Sequence, residues 1–345
     1  MRAAIFNGAG SVTAGDRPDP SIVEPTDAIV RVVLACVCGS DLWYFRGDTP
    51  FEPGPIGHEF IGVVEETGSA ITTLDRGDLV IAPFAFSDGT CPNCQNGITT
   101  ACMNGGFFPQ NGDGGQGEAV RVPLADSTLV VVPGSGHSDE TMRSLLTLSD
   151  VMATGHHAAV CARVEPGQTV AVVGDGAVGL SAVLAAKRLG AERIIALSRH
   201  ADRQALAGRF GATDLVPERG DEAVEKIREL TGGVGVDAVM ECVGTGQAME
   251  TAIGIARAGA MVGFVGVPHG VELPIGRMFR RTVGVRGGGA PVRVYLPELL
   301  DDVLEGKLDP GRVFDYETDL ESIGDAYAAM DERRAIKSLV RVGAV

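Results

Sequence analysis

TVAVVGDGAVGLSAVLAAKRLGAERIIALS, residues 169–198, reads as strand, tight turn, helix and second strand in one continuous stretch. The apolar run from Thr169 to Val173 suits a strand buried on both faces. The Ala- and Leu-rich run from Ala177 to Ala191 suits a helix, and Ile194 to Ser198 returns to strand character. Between the first strand and the helix, Gly174, Gly176 and Gly179 spell G-x-G-x-x-G. The first glycine allows the tight turn, the second lets a pyrophosphate approach, and the third lets helix pack on strand. The helix N-terminus then faces the phosphates with its positive dipole end. Gly174, Gly176, Val178 and Gly179 are therefore candidate dinucleotide contacts.

The end of the next strand chooses the dinucleotide. An NAD site places Asp or Glu there, about 20 residues on, to accept from the ribose 2′-OH. Here the strand ends in Ser198, Arg199 and His200, with Arg203 nearby. A carboxylate would repel a 2′-phosphate, whereas Ser and Arg donate to one. The expectation is NADP(H).

Downstream, ADRQALAGRFGA and EAVEKIRELT read as helices, VDAVMECVG as a strand, QAMETAIGIAR as a helix and GAMVGFVG as a strand. Alternating β and α with short glycine turns predicts a parallel sheet covered on both faces, an α/β fold. Residues 1–150 carry instead the short β-like runs AAIF, AIVRVVLA, FIGVVEE, DLVIAPFAF, AVRVPL and LVVV, with no long helical period between them. That half reads as mostly β, sandwich- or barrel-like. Beyond about residue 290, PELLDDVLEGKL and ESIGDAYAAMDER are amphipathic helices and KSLVRV a final strand, which the pattern alone does not place.

The 345 residues suit two domains. Acidic residues outnumber basic ones 45 to 29, and the net charge of −16 repels nucleic acid and anionic membrane. Gly accounts for 48 residues without any low-complexity period, as turns and close backbone approaches require. No N-terminal apolar core precedes a cleavage site, and the most apolar stretch, Val170 to Ala186, is broken by Gly174, Asp175, Gly176 and Gly179. Of seven Cys, three crowd together as Cys91, Cys94 and Cys102, which favours metal thiolates over disulfides. These features predict a soluble cytoplasmic protein acting on a small molecule.

Cys38-Gly39-Ser40-Asp41 ends one β-like run, and Gly57-His58-Glu59 opens another. Cys, His and carboxylate are zinc ligand types, although each residue taken singly also suits a buried core. CGSD at 38–41, GHEFIGVV at 57–64, the cysteine-rich stretch at 88–102, SDVMATGHHAA at 149–159 and GDGAVG at 174–179 together resemble the zinc-dependent alcohol dehydrogenases of the medium-chain dehydrogenase/reductase superfamily. The likeness runs over essentially the whole chain. It implies a GroES-like β-rich catalytic domain, residues 1–150 with 291–345 returning to it, and a Rossmann doubly wound parallel-sheet domain at 151–290. Cys38, His58 and Asp150 would be catalytic zinc ligands, Glu59 a nearby or exchanging ligand, and Asp41 the partner that orients His58. The family's second, structural zinc has four Cys; here Cys91, Cys94 and Cys102 keep the spacing, and Asp88 stands in the first place. The implied reaction moves a hydride between an alcohol, or its aldehyde or ketone, and NADP(H), with zinc as Lewis acid. A homodimer or homotetramer is expected.

The family's proton relay often has a His three residues after the Ser that follows the first zinc ligand. Here Ser40 is present but that place is Trp43, whose indole cannot accept a proton. His156 and His157 are the other histidines near Asp150 in the chain. Two rival readings are a zinc-free NADPH-dependent enone or quinone reductase and a non-enzymatic NADP(H)-binding protein, both on the same fold; the joint presence of Cys38, Ser40, His58 and Asp150 disfavours them. The substrate stays open among sugar alcohols, simple secondary alcohols and larger carbonyls. Its pocket walls are expected from loops such as 41–56 and 104–117, and Trp43, Tyr44, Phe45, Phe107 and Phe108 read equally as lining or as core.

Overall fold

The computed structural model describes residues 1–110 and 113–344; Asn111 and Gly112, inside the 104–117 loop, and Val345 lie outside the described residues. The chain divides into two compact units, Met1–Asp150 with Pro291–Val345, and Val151–Ala290.

In the first unit, Ala28–Cys36 is apolar at nearly every position and only Arg31 is not buried. Such a strand must be covered on both faces and paired on both edges. It lies inside a seven-stranded sheet ordered Val130–Val131, Leu79–Ala82, Glu59–Thr67, Ala28–Cys36, Lys337–Arg341 and Phe314–Asp319, with Ala119–Val122 also pairing on Ala28–Cys36. The tail is thereby placed: Lys337–Arg341 runs antiparallel to Ala28–Cys36, with Leu339 opposite Cys36. On the other edge, Glu59 is opposite Cys36. Phe6, Val30, Val32, Phe60, Val80 and Tyr327 belong to the core built around this sheet.

Besides the four-residue helices Pro92–Gln95 and Ala125–Thr128, two longer helices interrupt what the sequence suggests is an unbroken β texture, Asp41–Arg46 and Asp139–Thr147. The second is only nine residues long, too short for a sustained period, but its ends are signalled. The Ser138 hydroxyl accepts from the Thr141 N–H at 3.1 Å, and Asp139 and Glu140 occupy the first turn, where the dipole favours anions. In the tail, the helix expected to begin at Pro297 instead spans Val292–Leu304 with Pro297 inside it. The buried stripe of Val292, Leu296, Leu299, Leu300 and Val303 outweighs the one backbone bond the proline forfeits.

The second unit is a six-stranded parallel sheet ordered Asp214–Val216, Arg193–Leu197, Thr169–Val173, Val236–Glu241, Ala256–Phe264 and Gly284–Gly287. The chain enters at Thr169–Val173 in the middle, builds outward one way, then returns to build the other way from Val236. Thr169–Val173 and Val236–Glu241 thus flank the point where strand order reverses, outside whose carboxyl ends such sheets bind ligands. The helix Gly246–Ile255 passes into Ala256–Phe264 without a turn, so Arg257 belongs to a strand and not to the preceding helix.

Gly62 shows why a glycine belongs in the GHEFIGVV stretch. It faces Val32 where the pairing of the two strands slips, and a Cβ there would lie 2.2 Å from the Arg31 carbonyl oxygen. Gly62→Ala must therefore push two backbones apart, at a cost of about 1–3 kcal/mol. Thermal unfolding followed by circular dichroism is expected to show a midpoint lowered by several degrees, with the zinc content of the surviving fold intact.

Candidate functional site

Cys38 leaves the end of Ala28–Cys36, and the turn after it is closed by Asp41, whose Oδ2 accepts from the Cys38 N–H at 3.0 Å. The other Asp41 oxygen, Oδ1, is 3.2 Å from His58 Nδ1, and Asp41 is fully buried. This contact leaves His58 Nε2 turned to the other side, 3.3 Å from Asp150 Oδ2. Asp150 Oδ2 is in turn 3.7 Å from Cys38 Sγ. Cys38, His58, Glu59 and Asp150 each present one donor atom, all within 4.8 Å of one another. Zinc bound tetrahedrally at ~2.0–2.3 Å separates its ligands by about 3.3–3.8 Å, so the Cys38, His58 and Asp150 spacings suit it without rearrangement.

Glycines make the approach possible. Gly57 has φ +87°, and a Cβ on it would lie 2.4 Å from Gln116 Cγ. Gln116 is buried because it fastens the site: its amide donates to the Cys36 carbonyl at 2.9 Å, and its carbonyl accepts from the buried Tyr327 hydroxyl at 2.9 Å.

Glu59 is occupied elsewhere. Its Oε1 accepts from Lys337 Nζ at 2.7 Å and its Oε2 from Cys36 Sγ at 3.3 Å; Lys337 also donates to the Val37 carbonyl at 3.1 Å. Lys337 is absent from any motif reading, because its signal is three-dimensional: it starts the strand that pairs beside Cys36. Burial alone would lower the Lys337 pKa, but Cys36, Glu59 and Cys38 raise it and keep the ammonium charged. Burial raises the Cys38 thiol, and Glu59 and Asp150 raise it further. His58 is also raised: burial opposes its charge, but Asp41 and Cys38 outweigh that. The pocket is thus an anionic donor set that holds protons where a divalent cation would replace them.

A second cluster forms in the cysteine-rich loop, where Asp88, Cys91, Cys94 and Cys102 also bring donor atoms within 4.8 Å of one another. Here backbone N–H groups reach the sulfurs: Asp88 donates to Cys102 Sγ at 3.2 Å and Met103 to Cys91 Sγ at 3.4 Å. The Asp88 carboxylate accepts from the N–H groups of Thr90 at 2.8 Å and Cys91 at 2.9 Å and from the Asn104 amide at 2.6 Å. These bonds hold it well below the usual carboxylate range. Burial, with its thiol neighbours, pushes Cys94 up to about 12, whereas Cys91 is lowered by the Met103 and Cys94 N–H groups.

In the second unit, the three glycines divide their work by space. Gly174 has φ +115° and a Cβ would meet Val243 Cγ2 at 2.8 Å; a Cβ on Gly179 would lie 2.0 Å from the Gly174 carbonyl oxygen. Gly176 is the N-cap of Ala177–Arg188, and a Cβ there meets nothing within 4 Å. That open cradle at a helix N-terminus fits a pyrophosphate. Val178 follows it, half-buried in the first turn of the helix. Ser198 is buried, and its hydroxyl donates to Asp175 Oδ2 at 2.8 Å. Arg203 lies 3.4 Å from Asp175 Oδ1, while Arg199 and His200 are exposed.

Ser40 is the N-cap of Asp41–Arg46, and Trp43 follows within that helix. His156 and His157 lie on Val151–Ala162 of the second unit; burial and the Arg286 charge lower His157 to about 4, beside Cys161 at 3.5 Å. Among the aromatics, Phe108 is core, packed on Phe60 and Phe86, while Tyr44 packs on Phe51 and Phe45 on Tyr327. Phe84 is the ring next to the Cys38–His58–Asp150 cluster, 6.2 Å edge-on from His58 and stacked on Phe107 at 6.0 Å. It is inconspicuous in the sequence because DLVIAPFAF reads simply as a strand.

The family model for zinc-binding dehydrogenases matches residues 177–303, and that for the alcohol dehydrogenase GroES-like domain matches residues 24–134. The "Probable zinc-binding alcohol dehydrogenase Rv1895" of Mycobacterium tuberculosis is 35% identical over 96% of this chain and 86% of its own. The solved alcohol dehydrogenase TADH from Thermus sp. ATN1 is 33% identical, with a TM-score of 0.91 over 99% of this chain and 100% of its own. A zinc-binding dehydrogenase from Sinorhizobium meliloti, solved bound to NADP, is 26% identical with a TM-score of 0.83 over 99% of this chain and 98% of its own. The chain belongs to the zinc-dependent alcohol dehydrogenases of the medium-chain dehydrogenase/reductase superfamily, and it is an oxidoreductase with the GroES-like and Rossmann folds of that family.

Two measurements follow from the two clusters. Metal analysis of dialysed protein is expected to give two zinc ions per chain, falling to one in Cys38→Ala and to one in Asp88→Ala. Lys337→Met strands the Glu59 charge in a buried site and is expected to cost about 3–5 kcal/mol in denaturant unfolding. Adding Glu59→Gln to it should restore most of that loss, because neither position of the pair then holds an uncompensated charge.

Proposed function

We propose that the protein interconverts an alcohol and its aldehyde or ketone with NADP(H), using a catalytic zinc held by Cys38, His58 and Asp150. The observation that carries the reading is the cluster itself: thiol, imidazole and carboxylate from distant parts of the chain meet at zinc-ligand spacing. Bound zinc supplies a Lewis acid for the alcohol or carbonyl oxygen, and the bound dinucleotide supplies the hydride acceptor or donor. Asp41, at His58 Nδ1, orients the ring so that Nε2, on the Asp150 side, would be the atom offered to zinc. Glu59, its Oε1 held by Lys337, would be a nearby or exchanging ligand and would have to leave that pair to offer that oxygen to a zinc. Ser40 takes the substrate hydroxyl proton and passes it toward solvent, since the Trp43 indole accepts none. Phe84 and Phe107 give the pocket an apolar wall beside His58.

Gly174, Gly176, Val178 and Gly179 receive the pyrophosphate. The strand end of Ser198, Arg199 and His200, lacking a carboxylate, with Arg203 nearby, favours the 2′-phosphate of NADP(H). Asp88, Cys91, Cys94 and Cys102 hold a structural zinc, which fits a cluster stabilised by backbone N–H groups. The seven cysteines form no disulfide, in keeping with a reducing cytoplasmic setting, and no helix among the described residues is long and apolar enough to cross a membrane. The exposed Ile275 and Phe279, one turn apart on Ile275–Arg281, support a homodimer or homotetramer.

Steady-state assays across primary, secondary and sugar alcohols are expected to find turnover with NADP⁺ at least tenfold above NAD⁺ in kcat/KM. Ser40→Ala should lower kcat by about a hundredfold or more with zinc content unchanged. An unchanged kcat would remove Ser40 from the proton path. Light scattering should give a multiple of the chain mass.

A further inference from the structure

The residue between the first two glycines of the phosphate turn is an aspartate, in a site that must take a polyanion. Asp175 is half-buried, and its carboxylate does not face outward into solvent. Its Oδ2 accepts from the Ser198 hydroxyl at 2.8 Å, and its Oδ1 lies 3.4 Å from Arg203 Nη1. Arg203 Nη1 also donates to the Asp175 carbonyl at 3.3 Å. The Ser198 backbone is fixed as well: it is buried just past the end of its strand, its N–H donating to the Val216 carbonyl at 3.0 Å and its own carbonyl accepting from Gln204 at 2.7 Å. Two of the residues that would meet the adenosine ribose are thus already engaged by one carboxylate.

We infer that Asp175 sets the dinucleotide preference by opposing the 2′-phosphate from the phosphate-turn side. A carboxylate beside Ser198 supplies, from the neighbouring turn, the acceptor that the strand end itself lacks. A ribose 2′-OH can donate to it, whereas a 2′-phosphate meets a like charge and must draw Arg203 away from its partner. The site therefore keeps NAD(H) within reach while Arg199, Arg203 and Ser198 favour NADP(H). This inference rests on the dinucleotide reading of the glycine turn, but not on which dinucleotide the native protein prefers.

The test is Asp175→Asn in the full-length protein, an isosteric change whose amide oxygen can still accept from Ser198. Dissociation constants for NADP⁺ and NAD⁺, and for the fragments 2′,5′-ADP and AMP, are measured by titration calorimetry, which needs no turnover. The expected result is a shift of the NADP⁺-to-NAD⁺ affinity ratio toward NADP⁺ by about tenfold, the size expected for one unit charge removed a few ångströms from another in a partly solvated site. The fragments should shift alike, and added salt should shrink the difference between the two proteins. A ratio that does not move, or affinities that change by one common factor, overturns the inference and leaves Asp175 as a spacer in the turn. A native preference for NAD⁺ would refute the NADP(H) assignment, yet the mutant's shift would still decide the role of Asp175. Failure of either protein to bind any of the four ligands overturns both.

Discussion

The Lys337 ammonium and the Glu59 carboxylate meet 2.7 Å apart where three neighbouring strands end, and neither is more than 1% exposed. Two charges taken that far out of water are tolerable only when each finds its partner and the remaining donors and acceptors are filled. Here the Val37 carbonyl and the Cys36 thiol complete the set. The pair joins residues 278 apart in the chain, so the last strand cannot leave the sheet without stranding a charge beside Cys38 and His58. Cys38, two residues beyond Cys36, and His58, next to Glu59, inherit their positions from this arrangement.

The same constraint orders the charges around it. Asp41, buried and bonded to the Cys38 N–H, turns His58, and His58 turns toward Asp150. Each contact fixes one more donor, until three ligand types point inward from loops that no local rule would bring together. The cysteine-rich loop works differently. Its donors lie within a short stretch from Asp88 to Cys102, and backbone N–H groups stabilise the sulfurs locally. One donor cluster is therefore made by the tertiary fold and the other by the loop itself.

In the second unit the controlling quantity is space. Gly174 and Gly179 are filled against backbone and side chain, whereas Gly176 opens onto nothing within 4 Å, so only the middle glycine leaves room for a ligand. The adjoining Asp175 then brings electrostatics into a turn usually explained by sterics alone, through its hold on Ser198 and Arg203.

The parallel sheet, its glycine turn and the Cys91, Cys94 and Cys102 spacing were legible in the sequence because each rests on contacts between residues close in the chain: a strand next to its helix, thiols within one loop. The ligand types Cys38 and His58 could be recognised, and joined with Asp150 only through the family resemblance, since nothing local links positions 38, 58 and 150. The helix Asp139–Thr147 escaped as too short for its period, and the true start of the helix around Pro297 was decided by a buried stripe on the packed face. Lys337, Gln116 and Phe84 belong to no motif, and Asp175 sits at a position that the glycine motif leaves open. Their importance comes from strand order and from which groups are deprived of water. For Lys337 and Gln116 that importance is settled only when segments more than 200 residues apart pack together, and for Phe84 and Asp175 only when a turn or strand end meets its neighbour across the sheet.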